Sequence, residues 1–380
     1  MRSKKAFKLI DKYVGIFLLF YLGILLKIMD LFRRPKENPK KILIIKLSAM
    51  GDTVLLEPVV RGIRAKYKKA WIQAISTDIN KSIWENMEEI DEVFNLKISG
   101  LANPIYLLKL LIELKNSSFD IVFNFDQWLR ISGLLTAFSF ARIRIGFKSR
   151  GQYNSFTFNK KVLLDDKIHE IENFARLAEK AGVEIGSLKP EFKVSAKYSK
   201  KLKNKLLEQN INLEINYMVI HPGCGKNGWQ RAWPEDYYQQ LIEFILLNSS
   251  LKIILTGGSD EKDILDTITG YFKENPRIIT VDENLSIYEV AELLRGAKLL
   301  VSGNTGIMHL AAAVSTICIA LHGPTNSLRW GPIGSGHLVI KSSLDCSPCL
   351  NLGFEYGCNT RDCMDSIKPE DVSEKLKGYI

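Results

Sequence analysis

Small and hydroxyl-bearing residues follow a mainly apolar run late in the chain. Residues 297–301 predict a buried parallel strand, and the Ala-rich residues 311–313 predict a helix. Asn304, Thr305 and Gly306 lie between them. The N-terminus of a helix offers free N–H groups and a positive dipole to a phosphate oxygen, and glycine lets the backbone approach it. The pattern favours a diphosphate site, although an ordinary turn with Asn304 or Thr305 as helix cap has the same pattern.

Two further glycine-rich turns each follow a predicted strand. The turn 222–234 contains Arg231, whose planar guanidinium can hold a phosphate with two parallel hydrogen bonds. The turn 256–261 ends in two carboxylates, Asp260 and Glu261, which suit ribose hydroxyls. Because parallel strands place their carboxyl ends at one edge of a sheet, we expect all three turns to converge on one ligand.

Another candidate residue follows the first predicted strand of the chain. Residues 41–46 form a continuous apolar run with a terminal Lys, typical of a strand covered on both faces. Asp52 comes six residues after Lys46, at the predicted start of a helix. An Asp at this place commonly caps its helix. It could equally face a ligand cleft and act as a general base.

Strand-like and helical patterns alternate through the rest of the chain. Apolar runs at 72–76, 92–96, 120–125 and 142–147 are separated by helical stretches, which predicts a doubly wound parallel sheet. A Lys-rich helical pattern at 197–208 precedes a second series of the same kind. A dehydrogenase would need Gly-x-Gly-x-x-Gly after its first strand, and residues 46–53 lack it.

The positive charge of the protein is unevenly distributed. The formal net charge is +10, but residues 1–41 carry eleven Lys or Arg against three acidic residues. The remaining chain is therefore nearly neutral, which argues against a nucleic-acid surface. Residues 148–161 form a predicted loop that mixes basic and aromatic residues. This loop could contact an anionic acceptor or could simply be solvated.

The basic N-terminal segment surrounds an uncharged run, residues 13–26. As a helix this run would be about 21 Å long, shorter than the ~30 Å hydrocarbon core of a bilayer. We therefore favour an anchor that lies on the anionic cytoplasmic leaflet of a membrane. A single span and a soluble packing helix are the alternatives. A secretory signal peptide is disfavoured because no small-x-small cleavage site follows before Pro35.

Four of the six cysteines lie within 18 residues near the C-terminus. Their spacing is Cys346-x2-Cys349-x8-Cys358-x4-Cys363. In a reducing compartment such a cluster can hold a structural zinc ion or an iron–sulfur centre. Disulfides or free thiols are the alternative interpretation.

Taken in order, the motifs resemble glycosyltransferase family 9, the lipopolysaccharide heptosyltransferases. The resemblance covers about residues 41 to 370. It rests on the sequence Lys-Leu-Ser-Ala-Met-Gly-Asp at 46–52, His-Pro-Gly at 221–223, Arg-Ala-Trp-Pro at 231–234, Thr-Gly-Gly at 256–258 and Gly-Asn-Thr-Gly-Ile-Met-His at 303–309.

The resemblance implies an α/β protein of GT-B fold, with two facing Rossmann-like doubly wound parallel-sheet domains and an N-terminal hydrophobic helix in addition. The predicted domains are a membrane-associating segment and linker at 1–40, an acceptor domain at 41–195, a nucleotide-sugar domain with the Cys cluster at 196–368, and a C-terminal helix at 369–380.

The resemblance also implies an activity. This is inverting transfer of heptose from ADP-heptose to a lipid-linked lipopolysaccharide core or related envelope glycan. It would take place at the cytoplasmic face of the bacterial inner membrane, with no cofactor required for catalysis and no nucleic-acid partner. The alternatives are transfer from another nucleotide sugar, or a non-catalytic nucleotide-sugar-binding scaffold in envelope assembly.

The resemblance assigns roles to individual residues. Asp52 looks like the general base. Asn304 departs from the family, which more often has Asp there, and this difference bears on the identity or the orientation of the donor sugar. The implied acceptor-binding residues are Lys46 and Ser48, and the implied donor-binding residues are Arg231, Asp260, Asn304, Thr305, Gly306 and His309.

Overall fold

The chain folds into two compact units, 1–188 and 189–380. The computed structural model describes residues 5–149, 151–209, 211, 216–225, 228–272, 275–281, 284–350 and 356–380. The predicted boundary after residue 195 thus falls a few residues beyond the observed division. Arg150 of the predicted basic loop and residues 226–227 of the predicted Arg231 turn lie outside the described residues.

The first unit is built on a parallel sheet with the strand order β3-β2-β1-β4-β5-β6. Because β1 lies between β2 and β4, the direction of winding reverses beside β1, and its carboxyl end is the place where such sheets bind ligands. The strands are β1 (Lys41–Ile45), β2 (Trp71–Ser76), β3 (Glu92–Asn95), β4 (Ile121–Asn124), β5 (Ile143–Lys148) and β6 (Lys160–Leu163).

Helices cover this sheet, and local sequence signals start several of them. Asn103 caps α4 by accepting hydrogen bonds from Ile105 N and Tyr106 N, and a proline occupies its first turn. The continuous apolar run of β1 is buried from its second residue onward. The helices are α1 (Lys5–Phe32), α2 (Met50–Lys66), α3 (Lys81–Trp84), α4 (Pro104–Asn116), α5 (Arg130–Phe138) and α6 (Glu170–Glu179).

The second unit repeats the plan with the strand order β12-β11-β10-β7-β8-β9, all parallel. Its winding reverses between β7 and β10. The strands are β7 (Tyr217–His221), β8 (Lys252–Leu255), β9 (Ile278–Thr280), β10 (Leu299–Gly303), β11 (Ile317–His322) and β12 (Leu338–Lys341).

The helices of the second unit enclose a core that continues into the C-terminal helix. Trp233 is buried and its indole N–H donates to the carbonyl of Ile367 over 2.8 Å, which ties the chain end to the sheet. The helices are α7 (Ala196–Glu208), α8 (Glu235–Asn248), α9 (Lys262–Tyr271), α10 (Ile287–Gly296), α11 (Gly306–Ala313), α12 (Ser327–Trp330), α13 (Asp362–Asp365) and α14 (Pro369–Leu376).

Candidate active site

A buried ion pair lies at the carboxyl end of β1 in the first unit. The ammonium of Lys46 is 2.7 Å from Oδ2 of Asp52, and the two side chains are 0% and 13% exposed. The ammonium also lies over the ring of Phe174, 5.7 Å from its centroid. The Lys46 side chain is buried and pairs with Asp52, and its acceptor-binding role stays a prediction.

Two further carboxylates surround Lys46, and sequence reasoning missed both. Burial by itself disfavours the ammonium, but Asp52, Asp126 and Glu170 outweigh it and raise the pKa of Lys46 above its ordinary value. Asp126 is buried, and its Oδ2 accepts a hydrogen bond from the backbone N–H of Leu47 over 3.1 Å. Lys46 is therefore charged at neutral pH and is the electrostatic centre of this site.

The turn that carries Asp52 is held in a strained form. Ala49 has a φ of 66°, a left-handed value that is uncommon for a residue other than glycine. Asn80 fixes the turn by donating to the carbonyl of Lys46 over 2.8 Å and to the hydroxyl of Thr53 over 2.9 Å. Ala49 occupies the cap position of α2, with no side-chain cap. The carboxylate of Asp52 therefore pairs with Lys46 and does not cap its own helix.

Ser48 lies in the same turn. Its hydroxyl oxygen is buried and has no hydrogen-bond partner within the described part of the chain. A buried hydroxyl in this condition is costly unless a ligand or water satisfies it. This observation leaves Ser48 available for the acceptor-binding role that the resemblance implies.

Arg231 joins two turns at the ligand edge of the second unit. Its Nη1 donates to the carbonyl of Asn304 over 3.2 Å, and its Nη2 donates to the carbonyl of Cys224 over 3.1 Å. A side chain at Gly228 would place its Cβ 2.6 Å from Nη2, so this glycine makes room for the guanidinium. The buried Nε of Arg231 has no partner among the described residues. An anion at this edge would find a fixed positive charge with an unused donor.

The turn after β10 leads directly into α11, as the sequence predicted. Thr305 occupies the N-cap position, but its hydroxyl makes no cap hydrogen bond and is buried without a partner in the described structure. Gly306 begins the helix, and His309 is buried one turn further on. The first N–H groups of α11 and the Thr305 hydroxyl are thus open to a ligand that accepts hydrogen bonds.

Asn304 is held by its neighbours rather than acting as a helix cap. Its amide Nδ2 donates to the carbonyl of Trp330 over 2.8 Å and lies 3.4 Å from Nε2 of His322. Burial is the main cause that lowers the pKa of His322 to about 4, so this ring is neutral at pH 7. An ionised Asp in this position could not donate to the Trp330 carbonyl. The amide therefore suits its surroundings, and the departure from the family pattern has a structural reason.

The carboxylate that organises the turn after β8 is Glu261, next to the predicted Asp260. Its Oε1 accepts from Gly225 N over 3.0 Å and its Oε2 accepts from Gly258 N over 2.7 Å. Asp260 is exposed on the same turn. A Cβ at Gly223 would come within 2.3 Å of the Glu261 side chain, so Gly223 cannot be replaced without moving Glu261. Glu261 thus holds the β7 and β8 turns together.

An apolar pocket of about 180 Å³ lies beside these turns. It is smaller than the ~300 Å³ at which drug-sized ligand sites begin, and so it suits one ring system rather than a whole nucleotide. His221 borders it with Nδ1 2.9 Å from the carbonyl of Thr256, and burial is the main cause that lowers the pKa of this His. The lining residues are His221, Thr256, Gly257, Gly258, Val281, Leu285, Ile287, Val290 and Ile307.

The predicted metal site at the cysteine cluster is unsupported by the described residues. Within the ranges that the structure describes, no group of three or more His, Cys, Asp or Glu is arranged to hold a metal ion. Cys346 and Cys358 are exposed, Cys349 is half-buried and Cys363 is buried, all as free thiols. Burial is the main cause that raises the pKa of the Cys363 thiol to about 11.

The chain is similar to known heptosyltransferases over most of its length. The family model described as "Glycosyltransferase family 9 (heptosyltransferase)" matches residues 107–358. Lipooligosaccharide heptosyltransferase 2 of Haemophilus influenzae is 23% identical over 350 residues, which are 89% of this chain and 99% of that protein. Lipopolysaccharide core heptosyltransferase OpsX of the same species is 25% identical over 351 residues, with coverage of 90% and 97%.

A solved structure shows the same architecture. The structure of Escherichia coli ADP-heptose lps heptosyltransferase II superposes with a TM-score of 0.70 at 21% identity, and covers 89% of this chain and 98% of that one. The predicted GT-B fold is thereby confirmed. The match to the family model makes the protein a glycosyltransferase. The chain belongs to glycosyltransferase family 9.

Proposed function

We propose that the enzyme transfers heptose from ADP-heptose to a lipopolysaccharide core or related envelope glycan, with inversion at the anomeric carbon. The observation that carries this proposal is the ligand edge of the second unit. There Arg231, the Thr305 turn and the apolar pocket follow three strands, β7, β10 and β8, that are neighbours in the sheet. A nucleoside diphosphate has the matching parts, one base and two phosphates.

The donor roles follow from the chemistry of each group. Arg231 and the first backbone N–H groups of α11, which begins at Gly306, would bind the diphosphate, with the Thr305 hydroxyl as a further donor. His309 would support the same turn from one helical turn away. Asp260 would accept from the ribose hydroxyls, and Asn304 would fix the turn through Trp330. Positive charge placed here stabilises the departing diphosphate, the task that a metal ion performs in other transferases.

On the acceptor side, Asp52 would take the proton from the attacking hydroxyl. The ion pair with Lys46 fixes the position of its carboxylate and leaves Oδ1 for the acceptor. Ser48 would add a hydrogen bond to the same acceptor. The bond that forms joins the acceptor oxygen to the anomeric carbon, and the bond that breaks releases ADP from the opposite face of the sugar.

The names of the relatives support the choice of acceptor, since they include lipopolysaccharide core and lipooligosaccharide heptosyltransferases. Such acceptors are lipid-linked, and we place the enzyme at the cytoplasmic face of the bacterial inner membrane. The apolar helix α1 is consistent with that location. Within the described residues it is the stretch Gly15–Phe32 that is long and apolar enough to cross a membrane.

The donor assignment is tested by calorimetric titration of the full-length protein with ADP, UDP and GDP, followed by their sugars. We expect selective binding of ADP, and transfer from ADP-heptose to a core acceptor with an inverted anomeric configuration by NMR. Preferential binding of UDP or GDP would mean that the donor is another nucleotide sugar. The presence of Asn rather than Asp at position 304 is the reason for testing these donors. Binding of ADP-heptose without turnover on any acceptor would favour the scaffold alternative.

The phosphate role of Arg231 gives a separate prediction. Arg231→Ala removes a charge-assisted donor, and hydrogen bonds to charged groups contribute about 1.5–3 kcal/mol each, so ADP should bind about 10-fold to 150-fold more weakly by calorimetry. Arg295→Ala is the matched control, because Arg295 is exposed in the same unit and pairs only locally with Glu292. Equal affinity in the Arg231 and Arg295 variants would remove the assigned role.

A further inference from the structure

The helix α1 presents two apolar faces, one packed and one exposed. Leu19, Leu22 and Leu26 are buried, and the last two form a small core with Ala137 of α5. On the opposite face, five large side chains at helical spacing are exposed. These are Phe17, Tyr21, Ile24, Ile28 and Leu31.

The packed face fixes α1 along the folded unit from one end of the apolar stretch to the other. Near its start, the side chain of Arg130 is 3.4 Å from the position of a Cβ on Gly15. Near its end, Asp30 forms a hydrogen-bonded ion pair with Arg144, with 2.7 Å between Oδ2 and Nη2. These contacts are about 22 Å apart at 1.5 Å per residue. A helix held side by side with a globular unit over this length cannot cross a bilayer unless the unit crosses with it.

Basic and aromatic groups border one edge of the exposed face. Phe156 lies between Phe20 and Tyr153, with ring centroids 5.5 Å and 5.9 Å away, and Tyr153 is itself exposed. On the neighbouring strands β5 and β6, Lys148 pairs in register with the exposed Leu163. Tyrosine at such an edge and lysine just beyond it are the arrangement that suits the headgroup level of a bilayer.

Three lysines at this edge lie close enough to repel one another. Lys27 of α1, Lys148 of β5 and Lys161 of β6 are all exposed. Partial burial, and then the positive charges of Lys27 and Lys148, lower the pKa of Lys161. The acidic residue on this stretch of α1, Asp30, is engaged by Arg144. An anionic surface would relieve this repulsion.

We propose that α1 is a non-spanning anchor that lies in the plane of the membrane surface, with its exposed face in an anionic phospholipid bilayer and Lys27, Lys148 and Lys161 at the lipid phosphates. This inference goes beyond the transferase activity and does not depend on it. It also chooses among the three interpretations that the sequence left open, because the packed face excludes a span and the exposed face is unsuited to water.

The test is flotation of the full-length protein with vesicles of phosphatidylcholine alone or with 30% phosphatidylglycerol. We expect binding to the anionic vesicles, and a loss of about 10-fold or more in the partition coefficient for Ile24→Glu with Ile28→Glu. Lys148→Glu with Lys161→Glu should lower the partition coefficient by a similar factor at low salt and by a smaller factor at high salt. The matched controls are Leu247→Glu, an exposed leucine of α8, and Lys200→Glu with Lys375→Glu. They should bind as the native protein does.

Orientation is tested with tryptophans at two exposed positions, Phe17→Trp and Ile24→Trp, and lipids brominated at shallow or deep carbons. An in-plane helix gives both tryptophans the same shallow quenching. A span would put them about 10 Å apart in depth, so deep quenching of one alone would overturn the proposal. Vesicle binding unaffected by the α1 substitutions would overturn it too, as would a dimer in detergent-free solution that these substitutions dissociate, since a second copy would then cover the face.

Discussion

Asp52→Asn should lower the rate of glycosyl transfer by about 10²-fold to 10⁴-fold, the usual contribution of a positioned general base. The amide keeps the size of the side chain and can still lie beside Lys46, but it cannot accept the proton of the acceptor hydroxyl. The measurement is steady-state turnover with donor and acceptor both saturating, so that the loss appears in kcat.

Two controls accompany this variant. ADP should bind with native affinity in calorimetry, because the proposed donor residues all belong to the second unit. Asp166→Asn, an exposed Asp of the first unit, should leave turnover unchanged. If Asp52→Asn retains native kcat, another group abstracts the proton and the assignment of the base is wrong.

Lys46→Met should destabilise the first unit by about 3–5 kcal/mol, the usual result of removing one partner from a buried ion pair. Methionine fills a similar volume, but Asp126 and Glu170 then remain buried without the ammonium between them. The measurement is the free energy of unfolding from urea denaturation of the full-length protein, followed by a probe of the first unit.

The pH dependence separates charge from packing. The folded-state pKa of Lys46 is raised above its ordinary 10.5. The charged ammonium therefore contributes its full share of the folding stability below pH 10.5, and this share is lost as the pH rises through the folded-state pKa. The difference in the free energy of unfolding between the native protein and Lys46→Met should therefore stay constant from pH 7 to 9 and become smaller only at higher pH. Lys40→Met, at a mainly exposed lysine just before β1, is the control. If Lys40→Met loses as much unfolding free energy as Lys46→Met, the charge of Lys46 makes no special contribution and its role is one of packing.

Much of the architecture could be predicted from residue patterns. Continuous apolar runs marked β1, β4 and β7, and the small residues before α11 marked the donor turn, because both signals are local. The strand β6 begins inside the predicted loop 148–161 and continues beyond it, and the paired lysines at its start obscured it. β-Strand edges tolerate charge, so a short edge strand of this kind resembles a loop in sequence.

The electrostatic surroundings of Asp52 could not be predicted, because they are assembled from distant parts of the chain. Asp126 follows β4 and Glu170 begins α6, and each has an ordinary local explanation as a turn or first-turn residue. Only the order of strands in the sheet brings them to Lys46. The apolar pocket could not be predicted for the same reason, since Val281 and Ile287 have the apolar character of ordinary core residues. Conversely, the metal that the cysteine spacing suggested has no supporting arrangement within the described residues.

The attachment of α1 has a practical consequence for anyone who prepares this enzyme. Removing an apolar leader is a common way to improve solubility, but here α1 covers the apolar residues Leu134, Phe138 and Phe140 and neutralises the buried Arg144. A chain that starts after residue 36 would expose that surface and leave the Arg144 guanidinium without its carboxylate partner. Polar replacements on the outer face of α1 retain the covering, so redesign of the helix, and not its excision, is the route to a detergent-free enzyme.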